Sequence, residues 1–164
     1  MELYPWVVLG HVVLIILALG AHGVSAFAMF RARSETDRAR LAAVLDLSSA
    51  AVWTAGIGLL IAVLLGIIAA VMGGHFERLW PWAAIVVTVL VFVAMTPMAA
   101  GPMNGVREAL GPRGKDPTAG DPPAPPATDE QLAAAQARLK PELVATIGIA
   151  GIIVLVWLME MKPF

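Results

Sequence analysis

The sequence predicts an all-α protein, a bundle of four transmembrane helices, and three observations carry that prediction. Four long stretches, roughly residues 6–30, 47–72, 81–100 and 143–161, are almost free of charge. Each reaches the length of about 20 apolar residues that crosses a bilayer as a helix. Charged residues make up only 14% of the chain and hydrophobic ones 59%, where a soluble domain averages about 25% charged. Finally, Lys and Arg alternate between the connecting segments in the way that threads a membrane protein. The 164 residues are enough for a single integral membrane domain, 1–164.

The first span, 6–30, contains Val24-Ser25-Ala26, which has the look of a signal-peptide cleavage site. No positive residue precedes the apolar run and arginines follow it closely, so an uncleaved span is expected. Ser34-Glu35-Thr36-Asp37 reads as a capping box opening the next helix. Within the second span, 47–72, Ala50, Thr54, Gly58, Ala62, Gly66 and Ala70 recur at every fourth position. Small residues at that spacing let two membrane helices approach closely, where no hydrophobic force drives them together. Gly58, Ala62, Gly66 and Ala70 are therefore the expected packing positions, within the chain or between two chains. A short loop, GGHFERLW, leads to the third span, in which Pro97 is expected to loosen or kink the helix.

The segment 111–127 is a Pro-rich linker with no means of forming a core. Thr128-Asp129-Glu130-Gln131 is a second capping box, ahead of an Ala-rich helix with Leu132, Ala135 and Leu139 on one face. That face suits a membrane surface. Pro141 should bend the chain into the fourth span, where Thr146, Gly148 and Gly151 again permit close packing.

The basic residues set the threading. Arg31, Arg33, Arg38 and Arg40 follow the first span, and Arg107, Arg113, Lys115, Arg138 and Lys140 follow the third; only Arg78 and Lys162 lie on the other side. The bias places loops 31–46 and 101–142 in the cytoplasm, with both termini outside the membrane. Trp6, Trp80, Trp82 and Trp157 then gather at the outer interface, where indoles prefer to sit.

Composition also excludes functions. With no cysteine, thiolate nucleophiles, iron–sulfur clusters and thiolate zinc sites are ruled out. A net charge of −1 and no basic surface interleaved with aromatics give no reason to expect a nucleic-acid partner. No Ser–His–Asp set, paired intramembrane carboxylates, HExxH or phosphate loop is present, and no catalytic residues are assigned.

Histidines are the chemical lead. His11 and His22 lie eleven residues apart in the first span, a net rotation of about 20°, so they share one helix face. An imidazole facing lipid is costly, so that face should point into the bundle. About 16 Å of helix separates the two rings, too far for one ion. Around His11, the candidates are Met72, His75, Met159, Glu160 and Met161; around His22, they are Ser25, Thr54, Met95 and Met98. Three readings compete. Each histidine hydrogen-bonds and locks helices together; or His11 or His22 binds haem b, or His11, His75, Met159 and Glu160 hold copper, which imidazole and thioether suit; or His11, His22 and Glu160 move protons.

The stretch HVVLIILALGAHGVSAFAMFRARSETDRARLAAVLDLSS and the closing IGIAGIIVLVWLMEMKPF resemble an uncharacterised family of bacterial integral membrane proteins, domain of unknown function 2269. The positions carrying the resemblance are His11, Gly20, His22, Gly23, Phe30, Trp157, Met159, Lys162 and Pro163. It implies four membrane helices and no particular activity. Glu160 departs from the family pattern, which has an apolar residue there. A more distant likeness to copper-resistance membrane proteins rests on overall shape and scattered His and Met. The sequence thus points to a membrane subunit or scaffold, in contact with lipid and with other membrane subunits or copies of itself, rather than to an enzyme.

Overall fold

In the computed structural model, which describes residues 2–111 and 126–164, the four expected rods are present and longer than their apolar stretches. Helix α1 spans Tyr4–Ser34, α2 Arg38–Met72, α3 Trp80–Ala109, α4 Asp129–Ala137 and α5 Pro141–Met161; a 3₁₀ turn, His75–Glu77, precedes α3. There is no strand among the described residues. Four helices, the last counted as α4 and α5 together, are long and apolar enough to cross a membrane. Apart from its two ends, the linker 111–127 lies outside the described residues.

Local chemistry fixes the helix ends. Ser34 stays inside α1, and its hydroxyl donates back to the Arg31 carbonyl. The cap of α2 is Asp37, whose carboxylate accepts from the Arg40 N–H at 2.8 Å. The capping box expected at Ser34 is therefore corrected. With only three residues between α1 and α2, extended backbone first becomes available after Ser34, and Asp37 adopts it. The second box forms as read: Thr128 accepts from the Gln131 N–H and the Gln131 side chain accepts from the Thr128 N–H. Prolines start α1, α3 and α5, where a missing N–H costs nothing. Helix α3 continues across both Pro97 and Pro102.

Helices α1 and α2 form the tightest pair. His11, Ala18, Ser25 and Ala32 recur every seven residues along α1, and Leu41, Ser48, Ala55, Ala62 and Ala69 do so along α2. All are buried except His11 and Ser25, which are half-buried. The His11 ring reaches the Ala62 carbonyl, and the Ser25 hydroxyl lies 2.9 Å from that of Ser48. Fourteen residues forward in α1 therefore match fourteen back in α2, the register of an antiparallel coiled-coil seam. The four-residue ridge read from the sequence serves only part of this seam. Each step of four turns the ridge by about 40°, so Ala62 and Ala70 are buried while Ala50 and Thr54 have rotated outward. A Cβ on Gly58 would stand 3.4 Å from the Ala18 Cβ.

Helices α3 and α5 make the second pair. A Cβ built on Gly151 would meet the Val91 side chain at 2.6 Å, and one on Gly148 the Met95 methyl at 3.3 Å. The two pairs join chiefly at the basic end. There Met29, Ala32, Leu41, Leu45, Met103, Val106, Leu132, Leu139 and Val144 form one buried cluster. Helix α4 contributes Leu132 to it, and Leu139 follows just beyond. The apolar face of α4 is therefore spent on the bundle and not on the bilayer surface, which corrects the amphipathic reading. Burial among the ends of α1, α2 and α3 removes those side chains from water altogether.

Helix lengths explain this division. The 31 residues of α1 and 35 of α2 span about 46 and 52 Å, well beyond a hydrocarbon layer of about 30 Å. The overhang at the basic end lies where water competes, so burying leucines there is strongly favourable, by about 1.5–3 kcal/mol each. Replacing Leu41, which is 0% exposed, by Ala is expected to cost about 2–5 kcal/mol in reversible unfolding from mixed detergent–SDS micelles. Replacing Leu60, 62% exposed on the outer face of α2, should change stability by no more than about 0.5 kcal/mol in the same measurement.

Candidate functional site

The histidine-bearing face of α1 turns toward α2. His11 Nδ1 lies 2.7 Å from the Ala62 carbonyl oxygen. A carbonyl only accepts, so Nδ1 is the donor, and Nε2 takes no part in this bond. Gly66 makes the contact possible. A Cβ there would stand 2.8 Å from His11 Cε1 and 3.0 Å from Nδ1. The absent side chain is the notch in which the ring lies, one turn beyond the carbonyl it reaches. A second polar link, Ser25 to Ser48, lies two heptads farther toward the basic end.

His22 lies between these links, one turn from both Ala18 and Ser25. It is half-buried and hydrogen-bonds to no described residue. The partners expected for it are engaged elsewhere: Ser25 with Ser48, Thr54 with the Ala50 carbonyl and Met95 against Gly148. Met98 is 39% exposed.

His75 belongs to a different cluster, at the tryptophan-rich end. The Tyr4 hydroxyl lies 3.2 Å from His75 Nε2. The His75 ring packs 5.5 Å from that of Trp80, and Lys162 Nζ lies 5.8 Å from the Trp80 ring on which it sits. The Trp80 backbone N–H donates to the Phe164 carbonyl. Gly73 admits the His75 ring, since a Cβ there would meet Nε2 at 2.6 Å. Tyr4 and Trp80 thereby tie the start of α1 to the start of α3 and to the chain end.

The four residues considered for copper are not brought together. His11 is held at Ala62 and His75 at Tyr4, while Met159 and Glu160 are exposed. Glu160 makes no hydrogen bond or ion pair to a described residue, so the His11–Glu160 bond expected from the sequence is absent. Among the described residues no group of three His, Asp or Glu side chains is placed to hold a metal ion. Helical rotation explains the outcome: Leu158 turns inward and is 2% exposed, and Met159 and Glu160, about 100° and 200° farther round the helix, turn outward.

Side chains that the sequence reading passed over carry most of the polar work. At the basic end Arg107 of α3 donates to the Leu45 carbonyl at 2.6 Å and to the Ser49 hydroxyl, bridging α3 to α2. The Gln136 amide donates to the Ala32 and Glu35 carbonyls at the end of α1. Arg33 pairs with Glu142, and Arg38 with Asp129. A seven-residue period carried inward from Ala62 would have exposed Ser48; nothing local marks Gln136 or Tyr4. A groove lined by Arg38, Ala39, Ala42, Leu110, Pro126 and Ala127 offers one ionisable side chain, and that one is engaged with Asp129 and the Ala127 carbonyl.

The notch predicts a coupled pair. Gly66→Ala should destabilise the protein by about 1–3 kcal/mol through overpacking. His11→Ala alone should cost about 0.6 kcal/mol, typical of a polar link between membrane helices. In a double-mutant cycle, His11→Ala should relieve most of the Gly66→Ala penalty, and strict additivity would place the ring elsewhere. Comparison with protein-family models, curated proteins and solved structures gave no match.

Proposed function

We propose that this chain is a non-enzymatic membrane module, a subunit or scaffold in a bacterial plasma-membrane assembly. The observation that carries the reading is the use made of His11. An imidazole that sequence alone leaves open to catalysis or ligation is committed to a helix–helix bond and seated on a glycine. The Ser and Thr side chains of the spans are likewise engaged within the bundle: Ser25 and Ser48 bond each other, and Thr54, Thr88, Thr96 and Thr146 bond their own helices. The small-residue seam is used between α1 and α2, so partners meet other faces. The outer face of α2 is the leading one, with Trp53, Ile57, Leu60 and Leu64 all more than half exposed. Location in the inner membrane, with both termini outside and the basic end in the cytoplasm, rests on the Lys and Arg bias and on the family resemblance.

One observation favours a second reading. An Nδ1–H bonded to a backbone carbonyl is the usual way to orient an imidazole whose Nε2 serves as a ligand. His11 has that arrangement, and His22 has no described partner. Haem b or copper held by one of these nitrogens, completed by a partner subunit, is the alternative; proton movement through His11, His22 and Glu160 is weakened by the outward placement of Glu160.

The two readings separate in one preparation. Under the first, protein purified in mild detergent shows no Soret band and less than one copper per ten chains. A photo-crosslinker at Leu60 then captures a second chain or a membrane partner, whereas one at Ala62 yields only intrachain products. A stoichiometric Soret band or copper content that disappears in His11→Ala would replace the first reading with the second.

A further inference from the structure

We infer that one corner of the basic end is a headgroup site for an anionic phospholipid, with Arg138 and Lys140, neither paired with a described residue, as its two cations. The corner is built by the turn between α4 and α5 clamped onto the end of α1. Gln136 holds the Ala32 and Glu35 carbonyls at 2.7 and 2.8 Å, and Arg33 holds both oxygens of Glu142 at 2.8 Å. Between those clamps Leu139 and Pro141 point inward and are buried, so Arg138 and Lys140, on either side of Leu139, point outward. Both are exposed, and neither side chain pairs with a described residue.

Charge at this corner is unbalanced. Arg31, Arg33, Arg138 and Lys140 supply four positive charges against the two negative ones of Glu35 and Glu142, leaving two in excess. Asp37, whose N–H bonds to the Glu35 carboxylate, lowers that excess to one, whereas around Asp129 the sign is reversed, Asp129 and Glu130 standing against Arg38. Depth points to a lipid. Lys140 precedes the apolar stretch of α5 by three residues, and Arg33 follows that of α1 by three. Both therefore lie about 4–5 Å outside the hydrocarbon, at the level of phosphates. Beside them on the membrane side are exposed apolar side chains, Phe27 (68%), Phe30 (41%) and Leu143 (44%). A headgroup on the cations with acyl chains along those side chains uses both features, which a soluble phosphate would not. The inference rests on the membrane-spanning reading alone and is independent of any assembly role.

Full-length protein in lipid nanodiscs tests it, with phosphatidylcholine alone or mixed with phosphatidylglycerol as the probes. Native mass spectrometry should find phosphatidylglycerol retained preferentially, and the unfolding midpoint should rise with its fraction and fall back at high salt. Arg138→Gln with Lys140→Gln should weaken that retention by about tenfold or more, while Arg40→Gln in the first turn of α2 leaves it unchanged. Equal retention of both lipids by the wild-type protein overturns the inference, whether or not the double variant folds. So does a double variant that retains phosphatidylglycerol like the wild type, or an Arg40→Gln variant that loses as much. A midpoint rise reproduced by inorganic phosphate in phosphatidylcholine discs would also overturn it, assigning the corner to a soluble anion.

Discussion

The bundle depends on how closely α1 and α2 approach each other. Between lipid-facing helices the hydrocarbon offers no advantage to burying leucine against leucine, so association rests on shape and on polar bonds. Small side chains at heptad spacing bring the two backbones together, and the missing side chain of Gly66 opens the Ala62 carbonyl to His11. That carbonyl already serves its own helix, and its second lone pair takes the imidazole N–H. With Ser25 and Ser48, two polar links fix the register of the hairpin.

A different force holds the other end. Where α1, α2 and α3 run past the apolar stretches, water is the competing solvent and ordinary hydrophobic burial applies. Seven of the nine residues in the cluster around Leu41 lie there, with α4 folded across it and Arg107, Gln136, Arg33 and Arg38 bonded around its edge. One chain thus uses two packing chemistries along one axis, small-residue contact within the span and a leucine core beyond it. Helices α2 and α3 touch little despite being consecutive. Two helix pairs fastened at their ends are the natural description, with Tyr4, His75 and Trp80 as the fastening opposite the leucine core.

This division bears on function. A hairpin whose polar groups are mostly satisfied internally turns apolar faces such as Trp53 to Leu64 outward. His22, half-buried and without a described partner, and the Nε2 atom of His11 are the two places in the spans with imidazole capacity to spare. At the basic end, local charge imbalance and the proximity of exposed phenylalanines favour an anionic headgroup over a soluble ligand.

Much of this was legible in the chain and some was not. Span number, approximate limits, the Thr128 cap and the tight glycine positions could be read, because each depends on local composition or on periodicity along one helix. The shared face of His11 and His22 also followed from periodicity. What the imidazoles touch did not, since a helical wheel gives direction but not the neighbour. Glu160 reads as a partner for His11 by depth alone, yet its place two residues past the inward Leu158 turns it outward. Likewise α4 reads as a surface helix by amphipathicity, but its leucines face whichever apolar surface is nearer, and the overhanging ends of three helices supply one. Sequence by itself determined the rods, their approximate limits and their threading bias, because hydrocarbon thickness and backbone hydrogen bonding act on each segment separately. Only the tertiary structure decided which carbonyl His11 meets, which face of α4 is covered and which cations pair with no described residue, because those depend on the register between helices that no single helix encodes.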